Sequence, residues 1–182
     1  GFTPLVAFPS YEKEYGDTEL FPTFACRLPD RRRPDIHRIL QKYGLDKYDE
    51  FELLKRSGAK LPTDTLYFIE PIFEDDPVID RSFYVMGIRH YLPCVGQDCE
   101  RTPELTPGTK LILQAEPNCE HDPYAVQITN LDGMVIGYIP RYYSETISKQ
   151  LEEGADYLCQ VVEHNHTQPC NECMKISLRI PK

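Results

Sequence analysis

The sequence predicts an α+β protein: a small helical/β N-terminal region, a short linker, and a β-rich half that carries one helix. Three observations lead to this expectation. Apolar residues recur at helical spacing in two stretches before residue 60 and in only one stretch after it. Six runs rich in β-branched and aromatic residues crowd into residues 81–182. Between the two compositions lies Phe73-Glu-Asp-Asp-Pro-Val-Ile-Asp80, an acidic segment interrupted by proline that reads as a linker. The expected division is therefore 1–72, 73–80 and 81–182.

In the first region, residues 19–28 form a compact apolar segment, and Arg31, Arg32 and Arg33 follow it. A helix is expected over residues 34–43, because Ile36, Ile39, Leu40 and Tyr43 fall on one face. Pro34 suits its first turn and Gly44 its end. A second helix over residues 48–56 carries Phe51, Leu53 and Leu54 and stops at Gly58. Residues 63–69, Thr-Asp-Thr-Leu-Tyr-Phe-Ile, are rich in β-formers and read as a strand. In the second half, strands are expected over 83–90, 110–115, 124–129, 134–139, 157–163 and 174–180. Asn130-Leu-Asp-Gly133 reads as a hairpin loop. One helix is expected over 143–153, with Ile147 and Leu151 four apart and Gly154 beyond its end. Six short strands and one helix in so few residues fit a small, partly open barrel or two packed sheets.

The charge balance narrows the function classes. The net charge is −9, divided as −5 through residue 80 and −4 beyond it. Neither half is a polybasic domain of the kind that neutralises many phosphates, which argues against non-specific duplex binding. A pocket for one or two nucleotides depends on local charge and stays open. No apolar run reaches the ~18 residues that a membrane span requires. The start, Gly1-Phe-Thr-Pro4, lacks a basic region followed by an apolar stretch, so a cytoplasmic location is expected. Seven cysteines, an odd number, are then expected mostly as buried thiols in a reducing compartment.

Three blocks in the second half carry a resemblance. They are Val85-Met-Gly-Ile-Arg-His-Tyr91; Leu111 to Glu116 leading into Pro117-Asn-Cys-Glu-His-Asp-Pro-Tyr-Ala-Val126; and Gly133 with Val135-Ile-Gly-Tyr-Ile-Pro-Arg141. In this order, followed by a helix and a closing hairpin, they resemble the HIRAN family. The resemblance implies an OB-like six-stranded β-barrel with one helix. That module stands at the N-terminus of Swi/Snf-type fork-remodelling translocases and also in stand-alone bacterial proteins. It further implies a non-catalytic module that binds single-stranded DNA at the 3′ end, with an aromatic residue stacking a base and polar residues meeting the terminal sugar hydroxyl and phosphates. Carried over position by position, Arg89 would meet phosphate, and His90 stands where the translocase members have tyrosine, with Tyr91 next. Asp122 would accept from the terminal hydroxyl, while His121 replaces a tyrosine of the family's turn. Tyr138 follows the glycine of the fourth strand, and Arg141 is the nearby basic position. Base-on-aromatic stacking and Arg-to-phosphate contacts are the physical means of such recognition. Arg89, His90, Tyr91, His121, Asp122, Tyr124, Tyr138, Arg141 and Tyr142 form the candidate DNA-binding set, and tyrosines packed as a rim of the core are the competing reading of the aromatic members.

The first half resembles the small N-terminal subdomain of HipA-type toxin kinases, in Phe2-Thr-Pro-Leu-Val-Ala-Phe-Pro9, Glu19 to Pro29, Tyr43-Gly-Leu and Phe51-Glu-Leu-Leu-Lys-Arg-Ser-Gly58. This implies partner docking through residues 1–72. It also frames the alternative function, an antitoxin-like or protein-interaction regulator without DNA binding. The kinase core itself has no counterpart: there is no Gly-rich phosphate loop and no catalytic Asp with a downstream Asn.

Two close cysteine pairs raise a metal question. Cys94 and Cys99 follow the first expected barrel strand, and Cys170 and Cys173 sit in the last hairpin. Together they would give a structural zinc site of four thiolates, with His164 and His166 as alternative third and fourth ligands. The competing reading is that the two loops lie apart and the thiols stay unligated. No His-Glu-x-x-His pattern appears, and Ser57 and Ser144 lack a nucleophile-elbow context, so no enzyme is expected.

Overall fold

The computed structural model describes residues 4–92 and 105–182. The chain divides into two compact units, Gly1–Pro71 and Ile72–Lys182.

The first unit is built from three short helices: α1 (Pro22–Ala25), α2 (Ile36–Lys42) and α3 (Glu50–Ser57). Ile36 and Leu40 of α2 bury against Leu53 of α3, with Leu28, Tyr43, Leu45 and Tyr48 packed around them. The Asp49 side chain accepts from the Glu52 N–H at 3.0 Å and caps α3. Gly58, at φ 68°, ends that helix in the left-handed conformation that favours glycine. A second small nucleus is aromatic: Phe8 lies 5.0 Å from Tyr15 and 5.0 Å from Phe21, and Phe24 lies 4.9 Å from Phe68 between ring centroids.

The strand expected over residues 63–69 does not form. Among the described residues no strand lies beside it, and β-propensity has effect only where a ladder exists. Side chains serve this backbone instead. The Arg27 guanidinium, 6% exposed, forks onto Asp64 at 2.7 and 2.8 Å and also donates to the Ala59 and Leu66 carbonyls.

The second unit holds six strands: β1 (Val78–Tyr84), β2 (Ile112–Ala115), β3 (Val126–Thr129), β4 (Val135–Tyr138), β5 (Leu158–His164) and β6 (Met174–Pro181). A helical turn, α4 (Ile88–Tyr91), follows β1, and α5 (Arg141–Glu152) follows β4. The strands make two antiparallel sheets, ordered β1-β6-β5 and β2-β3-β4. Bridges between Lys110 and Gln160 and between Met86 and Tyr138 join the sheets at both edges. The result is a closed ring of strands, a small OB-like barrel that leaves no long free edge.

Alternation fixes which faces turn inward. On β6, Met174, Ile176, Leu178 and Ile180 are fully buried, while Lys175, Ser177 and Arg179 face out. Ile79, Val85, Val126, Ile128, Ile136 and Ile147 complete the centre of the core. Each such side chain contributes about 1.5–3 kcal/mol through burial.

The first barrel strand differs from expectation in position. It runs over Val78–Tyr84, so it takes in residues 78–80 of the segment read as linker, and it ends before residues 85–90. Gly87, at φ 75°, turns the chain into α4. Arg89, His90 and Tyr91 therefore sit on a helical turn and not on a strand. The turn is held against β4 because Gly137 has no side chain. A Cβ there would overlap the Met86 carbonyl oxygen and approach Val85 Cγ1 to 2.7 Å. Met86 and Tyr138 then exchange two backbone hydrogen bonds of 2.9 Å. The helix expected over 143–153 begins two residues earlier, which makes Arg141 and Tyr142 its first residues.

Candidate nucleic-acid interface at one end of the barrel

Two neighbouring sets of side chains make up the candidate site. The first is centred on Tyr138 at the end of β4. Its ring lies 5.6 Å from that of Tyr91, tilted by 53°. Its hydroxyl donates to Glu116 Oε2 at 2.7 Å and accepts from Gln127 Nε2 at 3.2 Å and from the Tyr91 hydroxyl at 3.3 Å. Register explains the convergence. Gln127 is the cross-strand partner of Tyr138, and Glu116 extends β2 by donating its N–H to the Ala125 carbonyl. Burial first, then the bonds with Tyr91 and Glu116, push the Tyr138 phenol well above its ordinary pKa. It stays protonated and acts as the donor to Glu116.

The second set ties the loop before β3 to the start of α5. Asp122 accepts from the Tyr124 N–H at 3.0 Å and from the buried Ser144 hydroxyl at 2.7 Å. Ser144 Oγ also lies 2.9 Å from the Arg141 carbonyl oxygen. Both Asp122 oxygens thus have protein partners, and this carboxylate fixes the loop. Lys149 Nζ stands 5.8 Å from the centre of the Tyr124 ring. Arg141, Tyr142 and His121 are exposed. On α4, Arg89 Nε donates to His90 Nε2 at 3.2 Å, and both side chains face solvent. Tyr91 is 43% exposed, leaving ring surface for a stacked group.

Of the expected set, the structure joins Tyr91 to Tyr138 and links Asp122 to the first turn of α5, where Arg141 lies. Tyr142 instead meets Tyr143, at 4.7 Å between ring centroids. Three members escaped the sequence reading: Glu116, Gln127 and Ser144. Glu116 and Gln127 had a legible signal, since each flanks a block that carries the family resemblance. Ser144 had none, because its role depends on α5 starting at Arg141.

The metal expectation divides. Cys94 and Cys99 lie outside the described residues. Cys170 and Cys173 occupy the turn between β5 and β6, where Cys173 Sγ contacts the Cys170 carbonyl at 3.3 Å. His164 and His166 stack at 4.1 Å between ring centroids. Among the described residues, no three His, Cys, Asp or Glu side chains are grouped to hold a metal ion. None of their helices is long and apolar enough to cross a membrane.

A closed small barrel with an aromatic and polar cluster at one end defines an OB-like binding module. The HIRAN domain family model matches residues 80–180, more than half of the chain, and the protein belongs to that family. Among solved structures, the crystal structure of the HIRAN domain of human HLTF is similar at 18% identity, over 56% of this chain and 72% of that one, with a TM-score of 0.41. A protein from Lactobacillus plantarum is similar at 17% identity, over 57% and 94%, with a TM-score of 0.43. The HLTF HIRAN domain in its DNA-bound conformation is similar at 18% identity, over 58% and 73%, with a TM-score of 0.35. No match was found among curated proteins.

Proposed function

We propose that the barrel unit is a non-catalytic module that binds single-stranded DNA and takes its 3′ end, and that residues 1–72 dock a protein partner. Family membership supports the class of ligand. The observation that carries the finer reading is the half-exposed Tyr91 ring, braced by Tyr138 and flanked on the same turn by Arg89. A base stacked on such a ring gains about 1–3 kcal/mol. Arg89 and Arg141 supply charge-assisted contacts to phosphate, which suffices for one or two nucleotides despite the net charge of −9. Asp122 acts in this reading by holding the 119–124 loop and α5 in register.

The test is fluorescence anisotropy of a short single strand labelled at its 5′ end, with the full chain. Micromolar or tighter binding is expected, weakened at least tenfold by Tyr91→Ala and by Arg141→Ala, and reduced by a 3′ phosphate. Absence of binding, or binding indifferent to both substitutions, contradicts the reading. Pull-down with residues 1–72 tests the docking role, and failure to retain any protein contradicts it.

A further inference from the structure

The hydrogen-bond polarity around Tyr138 carries one further inference, which rests on the single-strand reading above. The Tyr138 oxygen is saturated: it gives one hydrogen to Glu116 and receives two, from Gln127 and Tyr91. The donors of this network therefore point inward. What remains for a ligand is acceptor capacity: the other Glu116 oxygen with its lone pairs, and the lone pairs of Tyr91. One amide hydrogen of Gln127 is the sole exception. A group placed against the Tyr91 ring near Glu116 meets acceptors and a negative charge, while the cations Arg89 and Arg141 stand on α4 and at the start of α5.

We propose that Glu116 is a specificity-determining residue that admits an uncharged hydrogen-bond donor at the end of the strand and excludes phosphate and donor-less base edges. Two parts of a nucleotide offer that chemistry. One is the exocyclic amine of cytosine or adenine, which a carboxylate accepts from directly. The other is the terminal sugar hydroxyl. A phosphate at the same place faces like-charge repulsion, which discriminates between ligands more than it changes overall affinity. Glutamine at 116 keeps an acceptor for the Tyr138 hydroxyl, so Glu116→Gln removes the charge while leaving the bonding pattern around Tyr138 available.

The experiment compares strands that differ only at the last nucleotide, against the full chain and its Glu116→Gln variant. One arm sets a terminal deoxycytidine against thymidine. A second sets a 3′ hydroxyl against a 3′-deoxy end, and a third sets the hydroxyl against a 3′ phosphate. The wild type is expected to prefer the donor-bearing end by about threefold to tenfold in the first or the second arm, which identifies the source. It is expected to disfavour the phosphate by a similar factor. In Glu116→Gln both preferences fall to twofold or less, and the phosphate-ended strand binds more tightly than it does to wild type. Equal affinities in every arm, with binding intact, overturn this inference and leave the single-strand reading standing. Preferences that persist unchanged in Glu116→Gln also overturn it. Loss of all binding in the wild type overturns the reading beneath it.

Discussion

Replacing Gly137 by alanine should damage both the barrel and the site. The added methyl would occupy the position of the Met86 carbonyl oxygen and press on Val85, a fully buried core residue. Backbone cannot rotate aside as a flexible side chain can, so the crossing must open. Overpacking of this kind costs about 1–3 kcal/mol. Weakening the two Met86–Tyr138 backbone bonds adds roughly 0.5–1.5 kcal/mol each. The expected loss is about 3 kcal/mol, or roughly 10–20 °C in the melting temperature of a unit of this size. Far-UV circular dichroism on heating, with urea titration alongside, measures it. Gly16→Ala is the control, since a Cβ there meets nothing within 4 Å, and it should leave the melt within 1–2 °C. The same crossing places α4, so Gly137→Ala should also weaken any ligand contact made by Arg89 or Tyr91. A melting temperature within 2 °C of wild type would refute the reasoning, because Met86 would then not lie over β4 as described.

Other outcomes follow from the same structure. Arg27→Ala removes a nearly buried guanidinium and leaves the Ala59 and Leu66 carbonyls without it, so the first unit should lose about 2 kcal/mol in urea unfolding. The Arg27 guanidinium also holds the Asp64 carboxyl below its usual range. Its folded-state value being depressed, that contribution is complete above an unfolded value of about 4 and disappears as pH falls through the folded value. Asp64→Asn should flatten the acid limb of the stability profile below about pH 4 and leave its shape above that unchanged. Burial pushes the Cys159 thiol up to about 12, so at pH near 8 a disulfide reagent should modify exposed Cys26 at once and Cys159 only on unfolding. Metal analysis of pure protein decides the thiolate expectation. About one zinc per chain, lost in Cys170→Ser and in Cys94→Ser, would assign a site joining the two pairs, and none would retire it.

Much of the barrel was legible because its strands alternate cleanly. Met174, Ile176, Leu178 and Ile180 declare an inward face without reference to any neighbour, and Asn130 to Gly133 declare a turn. In the loop between β3 and β4, the Asn130 side chain accepts from the Asp132 and Met134 N–H groups, and Gly133 adopts φ 80°. The misplaced first strand shows the limit of local pattern. Phe83 to His90 has strand-like composition throughout, yet Gly87 turns it, and only the distant Gly137 makes room for that turn. Residues 63–69 have the composition of a strand and no ladder to join. Within the candidate site, Tyr91 and Tyr138 stood out as aromatic residues in characteristic blocks. Glu116 and Gln127 are ordinary polar residues in the sequence. They gain a place only through the β2–β3–β4 register, which local periodicity does not reveal. Asp122 was legible as a carboxylate in the right loop, but its commitment to Ser144 was not, because that bond spans 22 residues and depends on where α5 begins.

The measurement that tests the central claim most directly is competition between a linear single strand and a circular single strand of the same sequence for the full chain. The two share every base and phosphate environment except the ends. End recognition predicts that the linear strand displaces a bound labelled strand at micromolar concentration and that the circle fails to do so at more than tenfold higher concentration. Equal competition by the circle would contradict the account, since the barrel would then hold the strand along its length and not at its 3′ end.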